Sequence, residues 1–287
     1  MKIGVFATFM SPLGTAEMIQ DFGRRAEAAG LDSIWMGEHV VLFDEMEFPY
    51  PGSRDGRIPV PEGGGLLDTV ATFGLLAGST SRLRFGTGIC LVPQRNPIYT
   101  AKEFATLDWL SGGRIDFGIG VGWCKEEVIA CGYGWEDRGE RCDEFLTLMR
   151  KLWSEPVVSY SGKHVNVQGC RMDPKPIQKP HIPIIVGGHT PRAMRRAAEF
   201  GAGWYGFGIT PDQTSAVLTE LDAALGAAGR SRDGFEIIIT PASEDADSMA
   251  AFADLGVDRL ILHLGSQRPE KLAARVDQLA SLVQAAA

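Results

Sequence analysis

Four short segments hold the residues whose types could do chemistry. Gly37-Glu38-His39 sets a carboxylate beside an imidazole, and an imidazole can give or take a proton near neutral pH. The acid would tune or orient it only where the backbone turns suitably. A histidine that merely hydrogen-bonds a loop fits the same position. Gly86-Thr87-Gly88-Ile89-Cys90 carries two glycines, which let a backbone approach a flat ligand or mark a tight bend in a strand. Taken alone, the bend is the simpler reading. Gly118-Ile119-Gly120-Val121-Gly122 is followed by Trp123, Glu126 and Glu127. Its Gly-x-Gly-x-Gly spacing is not the dinucleotide fingerprint Gly-x-Gly-x-x-Gly, and no capped helix follows at once. It reads as a backbone cradle beside an aromatic and acidic wall, or as plain packing of a large residue. Gly187-Gly188-His189-Thr190 leads into Pro191. Freed amides, a threonine cap and a helix N-terminus suit an anion such as a phosphate, with Arg192 adding charge, although an ordinary capped helix has the same look.

The elements around these segments alternate. Strands are expected over Lys2–Phe9, Ser33–Met36, Leu83–Val92, Arg114–Ile119, Ile182–Val186, Trp204–Phe207, Phe235–Thr240 and Arg259–Leu264. Between and after them, helical spacing runs over Thr15–Ala29, from an Asp68 cap to about Ser79, and over Pro97–Leu110, Gly139–Trp153, Pro191–Phe200, Asp212–Ala228, Ser248–Leu255 and Glu270–Ala285. Eight such repeats point to a single closed (β/α)8 TIM barrel, an α/β fold, rather than an open sheet. Two insertions follow strands two and four. One is the Pro/Gly-rich loop Gly37–Leu67, whose part Phe43–Gly65 is a candidate lid. The other, Glu155–Pro180, holds a hairpin of Val157–Tyr160 and His164–Val167 about the turn Ser161-Gly162-Lys163. In such barrels the loops after strands carry the chemistry, which draws attention to Gly37–Leu67, Gly120–Asp137 and Gly187–Thr190.

Composition narrows the classes. A formal charge of −8 and a pI near 5.2 argue against nucleic acid as a partner. No apolar run reaches the ~20 residues that cross a bilayer, and the first residues lack a secretory pattern, so a soluble cytoplasmic protein is expected, with no membrane partner. The five cysteines show no CxxC spacing and read as reduced thiols. His39, His164, His181, His189 and His263 are scattered without ligand spacing, which argues against a metal centre. Neither a Gly-x-Ser-x-Gly elbow nor a phosphate-binding GxxxxGK[ST] loop is present.

The runs Asn96-Pro97-Ile98, Ala101-Lys102-Glu103-Phe104-Ala105-Thr106-Leu107-Asp108, Leu110-Ser111-Gly112-Gly113-Arg114 and Gly118 through Trp123 resemble the luciferase-like monooxygenase superfamily. So do Arg138-Gly139-Glu140-Arg141, Leu152-Trp153, and Pro174 through Pro180 leading to Gly187-Gly188. The likeness extends from the first strand to about Trp204 and is nearest the branch of oxidoreductases that depend on coenzyme F420, a 5-deazaflavin. It implies hydride transfer between F420 and a small unsaturated or carbonyl-containing substrate. It further implies that Glu38 and His39 face the cofactor ring, with His39 handling the proton. By the same likeness, Gly88-Ile89 is a cis peptide behind the ring, and Val121, Gly122 and Glu126 line the ring or its side chain. Gly187 and Gly188, with His189 and Thr190, would hold the phosphate. Trp123 stands where the sugar-phosphate dehydrogenases of this group place a catalytic glutamate, which turns the expectation toward a less polar substrate with Trp123 as pocket wall. An FMN-dependent monooxygenase is the alternative, and a non-catalytic flavin-binding barrel a second one. Relatives commonly pair, so a homodimer is also implied.

Overall fold

Eight parallel strands close on themselves in the computed structural model, which describes residues 1–287 apart from 51, 52, 54, 266 and 287. The first half contains β1 (Lys2–Phe6), α1 (Ala16–Ala28), β2 (Ser33–Met36), α2 (Thr69–Ala77), β3 (Arg84–Thr87), β4 (Cys90–Leu91), α3 (Pro97–Ser111), β5 (Ile115–Gly120), α4 (Lys125–Ala130) and α5 (Arg138–Ser154). A hairpin of β6 (Val158–Ser161) and β7 (Asn166–Cys170) follows. The second half contains β8 (Ile184–Gly187), α6 (Pro191–Phe200), β9 (Gly203–Ile209), α7 (Pro211–Ala227), β10 (Glu236–Pro241), α8 (Ala246–Asp254), β11 (Arg259–His263) and α9 (Pro269–Ala286). β1 pairs with both β2 and β11, while β3 and β4 are two halves of the third barrel strand and both pair with β5. The result is a (β/α)8 TIM barrel with insertions after its second and fourth strands. Among the described residues, no helix is long and apolar enough to cross a membrane.

Barrel strands are covered on both faces, so they read as continuous apolar runs, and β2 and β5 are buried at every residue. Helices start where a short polar side chain can take an otherwise unpaired amide. Asp68 accepts from the Ala71 N–H at 2.7 Å, Asn96 from Ile98 at 3.0 Å, and Thr190 from Ala193 at 3.2 Å. Three departures from the sequence expectation have local causes. The third strand breaks at a cis Gly88-Ile89 peptide and continues into a 3-10 turn at Val92–Gln94 instead of running unbroken to Val92. The loop after β5 contains α4, too short for a periodic signal. The hairpin strands lie farther along the chain than their apolar residues suggested, because the Glu144 carboxylate gathers the Lys163, His164 and Val165 amides at 3.0, 2.8 and 2.9 Å and keeps them in the turn.

Most apolar side chains fill the layer between strands and helices. Inside the barrel a smaller group, Trp35, Ile185, Tyr205, Ile238 and Ile261, plugs the centre, with Phe6 and Ile89 packed against it. Toward the N-terminal ends of the strands the interior becomes ionic. Arg259 bonds Asp116 at 2.8 Å and Glu236 at 2.8 Å, and Arg84 bonds Asp116 at 2.5 Å. Burial pushes the Asp116 carboxyl up, but Arg84 and Arg259 outweigh it and hold it below the usual range. The plug and the ionic base fill the barrel interior from its centre toward the N-terminal ends of the strands. The glycines of β5 serve this packing: a Cβ on Gly118 would overlap the Thr87 carbonyl oxygen, and one on Gly120 the Ile89 side chain.

Candidate active site

Chain topology gathers the four sequence segments at the C-terminal ends of the strands. The chain leaving β2 carries His39, and α4 of the β5 loop carries Glu127, whose side chain is 0% exposed. His39 Nδ1 lies 2.8 Å from one Glu127 carboxylate oxygen, and the Val40 N–H donates to the other at 2.7 Å. Bridging an imidazole and the next residue's amide in this way fixes the ring's rotation. An ionised carboxylate only accepts, so Nδ1 carries a proton and Nε2 is the nitrogen left for a ligand.

Glu38 is buried and engaged on both oxygens, one accepting the Leu91 N–H at 2.7 Å and the other paired with Arg95. Arg95 also bonds Glu103 at 2.5 Å and Thr100 at 3.1 Å. Glu38 thus ties the end of β2 to β4 and to the start of α3. Burial, with Glu38 nearby, pushes the Cys90 thiol up, so it is no nucleophile. Burial raises Cys124 and Cys131 as well. Glu126 accepts the Glu47 N–H at 2.9 Å, and Lys125 bonds the Glu47 carboxylate at 2.5 Å, so this acid fastens the long β2 loop to the β5 loop.

The expected cradle residues lie around the same opening. A Cβ at Gly88 would press on the Tyr205 ring at 3.0 Å and on Phe6 at 3.1 Å, so its backbone sits directly on the plug. Val121 and Gly122 follow β5, and Gly122 has a φ of 78°. Gly188 has a φ of 98°, the left-handed region that favours glycine, and its carbonyl accepts the Trp204 indole N–H at 2.6 Å. Gly188, His189 and Thr190 are exposed, and among the described residues no protein acceptor takes their amide N–H groups. These residues lead into α6, a ten-residue helix capped by Thr190, and helix N-termini favour negative charge. Arg192 lies farther out, lining a groove of about 700 Å³ between α6 and α7 with Arg195 and Glu220.

The mouth is walled by aromatic rings. Trp123 meets His39 at 5.6 Å, edge to face, and Tyr50 of the long loop at 5.4 Å. Phe48 stacks on Trp135 at 5.9 Å, a second fastening of that loop. On the other side, Phe6 at the end of β1, Phe207 of β9 and His263 at the end of β11 meet mutually at 5.1 to 5.8 Å. The sequence reading placed Glu127 only in an acidic wall and gave Phe6 and Phe207 no role. Their signal was their position at or near strand ends. Among the described residues no histidine, cysteine and carboxylate cluster could hold a metal ion.

Comparison with known proteins identifies the family and the fold. The profile of the family described as luciferase-like monooxygenase matches residues 1–281. An uncharacterized protein of Mycobacterium tuberculosis is 31% identical over 265 residues, covering 90% of this chain and 91% of its own length. An F420-dependent glucose-6-phosphate dehydrogenase of Microbacterium testaceum is 30% identical over 225 residues, covering 76% of this chain and 61% of that protein. Among solved structures, an F420-dependent secondary alcohol dehydrogenase in complex with an F420-acetone adduct superposes with a TM-score of 0.80 at 18% identity, over 99% of this chain and 98% of that one. Monooxygenase RslO1 from Streptomyces bottropensis does so at 0.77 and 22% identity, over 100% of both chains.

Proposed function

The chain belongs to the luciferase-like monooxygenase family, and from that premise we propose that it is an oxidoreductase using coenzyme F420 on a small unsaturated or carbonyl-containing substrate. The carrying observation is the His39–Glu127 pair at the barrel mouth, a proton-handling imidazole held by a fully buried carboxylate. The likeness to an F420-dependent dehydrogenase over 76% of the chain supports the choice of cofactor.

The residues present fit such a group. Gly188, His189 and Thr190 offer unpaired amides to its phosphate, with Gly187 beside them, while Val121, Gly122 and Glu126 border its ring or side chain and Gly88 and Ile89 back the ring. When bound, the deazaflavin supplies or accepts a hydride at carbon 5. His39 Nε2 gives a proton to the substrate oxygen as the carbonyl carbon gains hydride, and takes it back in the reverse direction. Glu127 keeps Nδ1 protonated and stabilises the imidazolium by its charge. Glu38 acts by holding β2 against β4, and Trp123 walls the substrate side. A tryptophan at 123 also separates this site from glucose 6-phosphate as substrate.

A homodimer belongs to the same proposal, seated on the exposed apolar side of α3 where Tyr99, Trp109 and Leu110 face solvent. Cofactor choice is tested by titrating the purified protein separately with F420 and with FMN and following fluorescence quenching. Saturable binding of F420 supports the reading. Tight FMN binding with none for F420 overturns it in favour of an FMN-dependent monooxygenase.

A further inference from the structure

Phe207 is a large aromatic left 39% exposed at the opening of the barrel, although its neighbours Phe6 and Tyr205 pack inward. Exposed aromatic area of this kind at the mouth of a pocket is a place for ligand contact. Across the opening stand Trp123 and Tyr50. The ends of β1 and β2 that carry the two groups are in contact: Gly37 lies two residues before His39, and a Cβ there would lie 3.4 Å from the Phe6 ring and 3.2 Å from the Gly88 carbonyl oxygen.

Several charged side chains near these strand ends are engaged within the protein. Arg95 is held by Glu38 and Glu103, Lys125 by Glu47, and Arg275 by Glu244 and the His263 carbonyl. Glu127 is taken by His39 and Val40, and Glu126 by Glu47. Burial lowers the His263 imidazole below its usual value; Arg275 adds to this and Glu244 opposes it, so His263 stands neutral at pH 7 beside Phe6 and Phe207. An anionic substrate would find each of these cations already paired.

We propose that the mouth clamps a neutral ring: the substrate is an uncharged cyclic or aryl ketone, or the matching alcohol, held between Phe207 with Phe6 and Trp123 with Tyr50, and Phe207 sets the preference. This deepens the proposed oxidoreductase reading and rests on it. Reduction adds hydride at the carbonyl carbon and a proton from His39 at its oxygen, and the ring makes contact without reacting.

The test uses 4-fluoroacetophenone and fluorine NMR line broadening, measured on the protein alone and with F420 present. The expected result is saturable broadening, displaced by cyclohexanone and not by glucose 6-phosphate, with Phe207→Ala weakening affinity about tenfold, the scale of losing one aromatic contact. Phe207→Leu should recover part of that loss, and circular dichroism should report an unchanged fold for both variants. Absence of probe binding in either state, equal affinity in Phe207→Ala, or displacement by glucose 6-phosphate overturns the proposal. Failure of F420 to bind, read by the separate quenching titration, would overturn the cofactor reading and leave the ring-binding result standing.

Discussion

Replacing Glu127 with Gln separates a proton-handling His39 from one that merely packs. The side chain is fully buried and makes two short contacts, 2.8 Å to His39 Nδ1 and 2.7 Å to the Val40 N–H. In Glu127→Gln the amide oxygen keeps the Val40 contact, and the amide NH2 then faces Nδ1. Two donors cannot face each other, so Nδ1 must give up its proton and Nε2 must carry it. Nε2 can then no longer accept a proton from an alcohol. The lost charge also removes support for the imidazolium needed in the reducing direction. Turnover should fall by about 10²- to 10⁴-fold in both directions, the range for removing positioned acid–base catalysis. Folding should suffer less, by about 1.5 to 3 kcal/mol at most, because one charged hydrogen bond is exchanged and Val40 keeps its acceptor. Glu127→Ala removes the acceptor of the Val40 N–H as well and leaves a cavity where a fully buried side chain stood, and should cost about 1 to 3 kcal/mol more. Steady-state rates against pH, with thermal melts beside them, give the answer. A Glu127→Gln enzyme within about threefold of wild type, with an unchanged pH profile, would refute the role given to the pair.

Four further outcomes are expected. Gly188→Val should weaken cofactor binding and also lower stability by about 1 to 3 kcal/mol, because a φ of 98° strains any residue with a Cβ; isothermal titration reads the first and thermal melts the second. Gly118→Ala should lower stability by about 1 to 3 kcal/mol or prevent folding, because the added methyl meets the Thr87 carbonyl; chemical denaturation checks it. Burial pushes the Glu27 carboxyl up, but the Arg82, Leu83 and Ser81 amides and the Ser81 hydroxyl outweigh it and bring it from 4.5 down to about 2. Its folded value lies below its unfolded one, so the stability it contributes is present above about pH 4.5 and is lost as pH falls toward 2. Glu27→Gln should therefore flatten the acid side of a stability–pH curve. Trp109→Arg should shift sedimentation from dimer to monomer without loss of secondary structure.

Much of the barrel was legible because parallel strands buried on both faces leave short apolar runs, and capped helices announce their starts, as at Asp68 and Thr190. Several residues that carry the family resemblance are scaffold. Asp108 gathers the Ile177 and Gln178 amides at 2.7 and 3.1 Å, and Arg114 closes the end of α2 through the Ala77 and Thr80 carbonyls. Such residues identify a fold well because long-range contacts constrain them, yet they say little about chemistry. In the site, Gly37-Glu38-His39 drew notice by type alone, but the partner that orients His39 lies 88 residues away, and no local pattern reports that distance. The reverse holds for Glu38. Its type suggested chemistry, and its contacts with Arg95 and Leu91 make it a brace. Phe207 was invisible for another reason: an aromatic residue in a strand is ordinarily core, and only barrel closure places it at the rim beside Phe6 and His263.

Hydride transfer at this mouth is tested most directly by a single turnover of reduced F420 carrying deuterium at carbon 5 with an excess of cyclohexanone in deuterium-free buffer. The expected result is deuterium on the carbinol carbon of the product in an oxygen-independent reaction, with the label retained in Glu127→Gln at a much lower rate. Product without label, or turnover that proceeds only with FMN and oxygen, would contradict it.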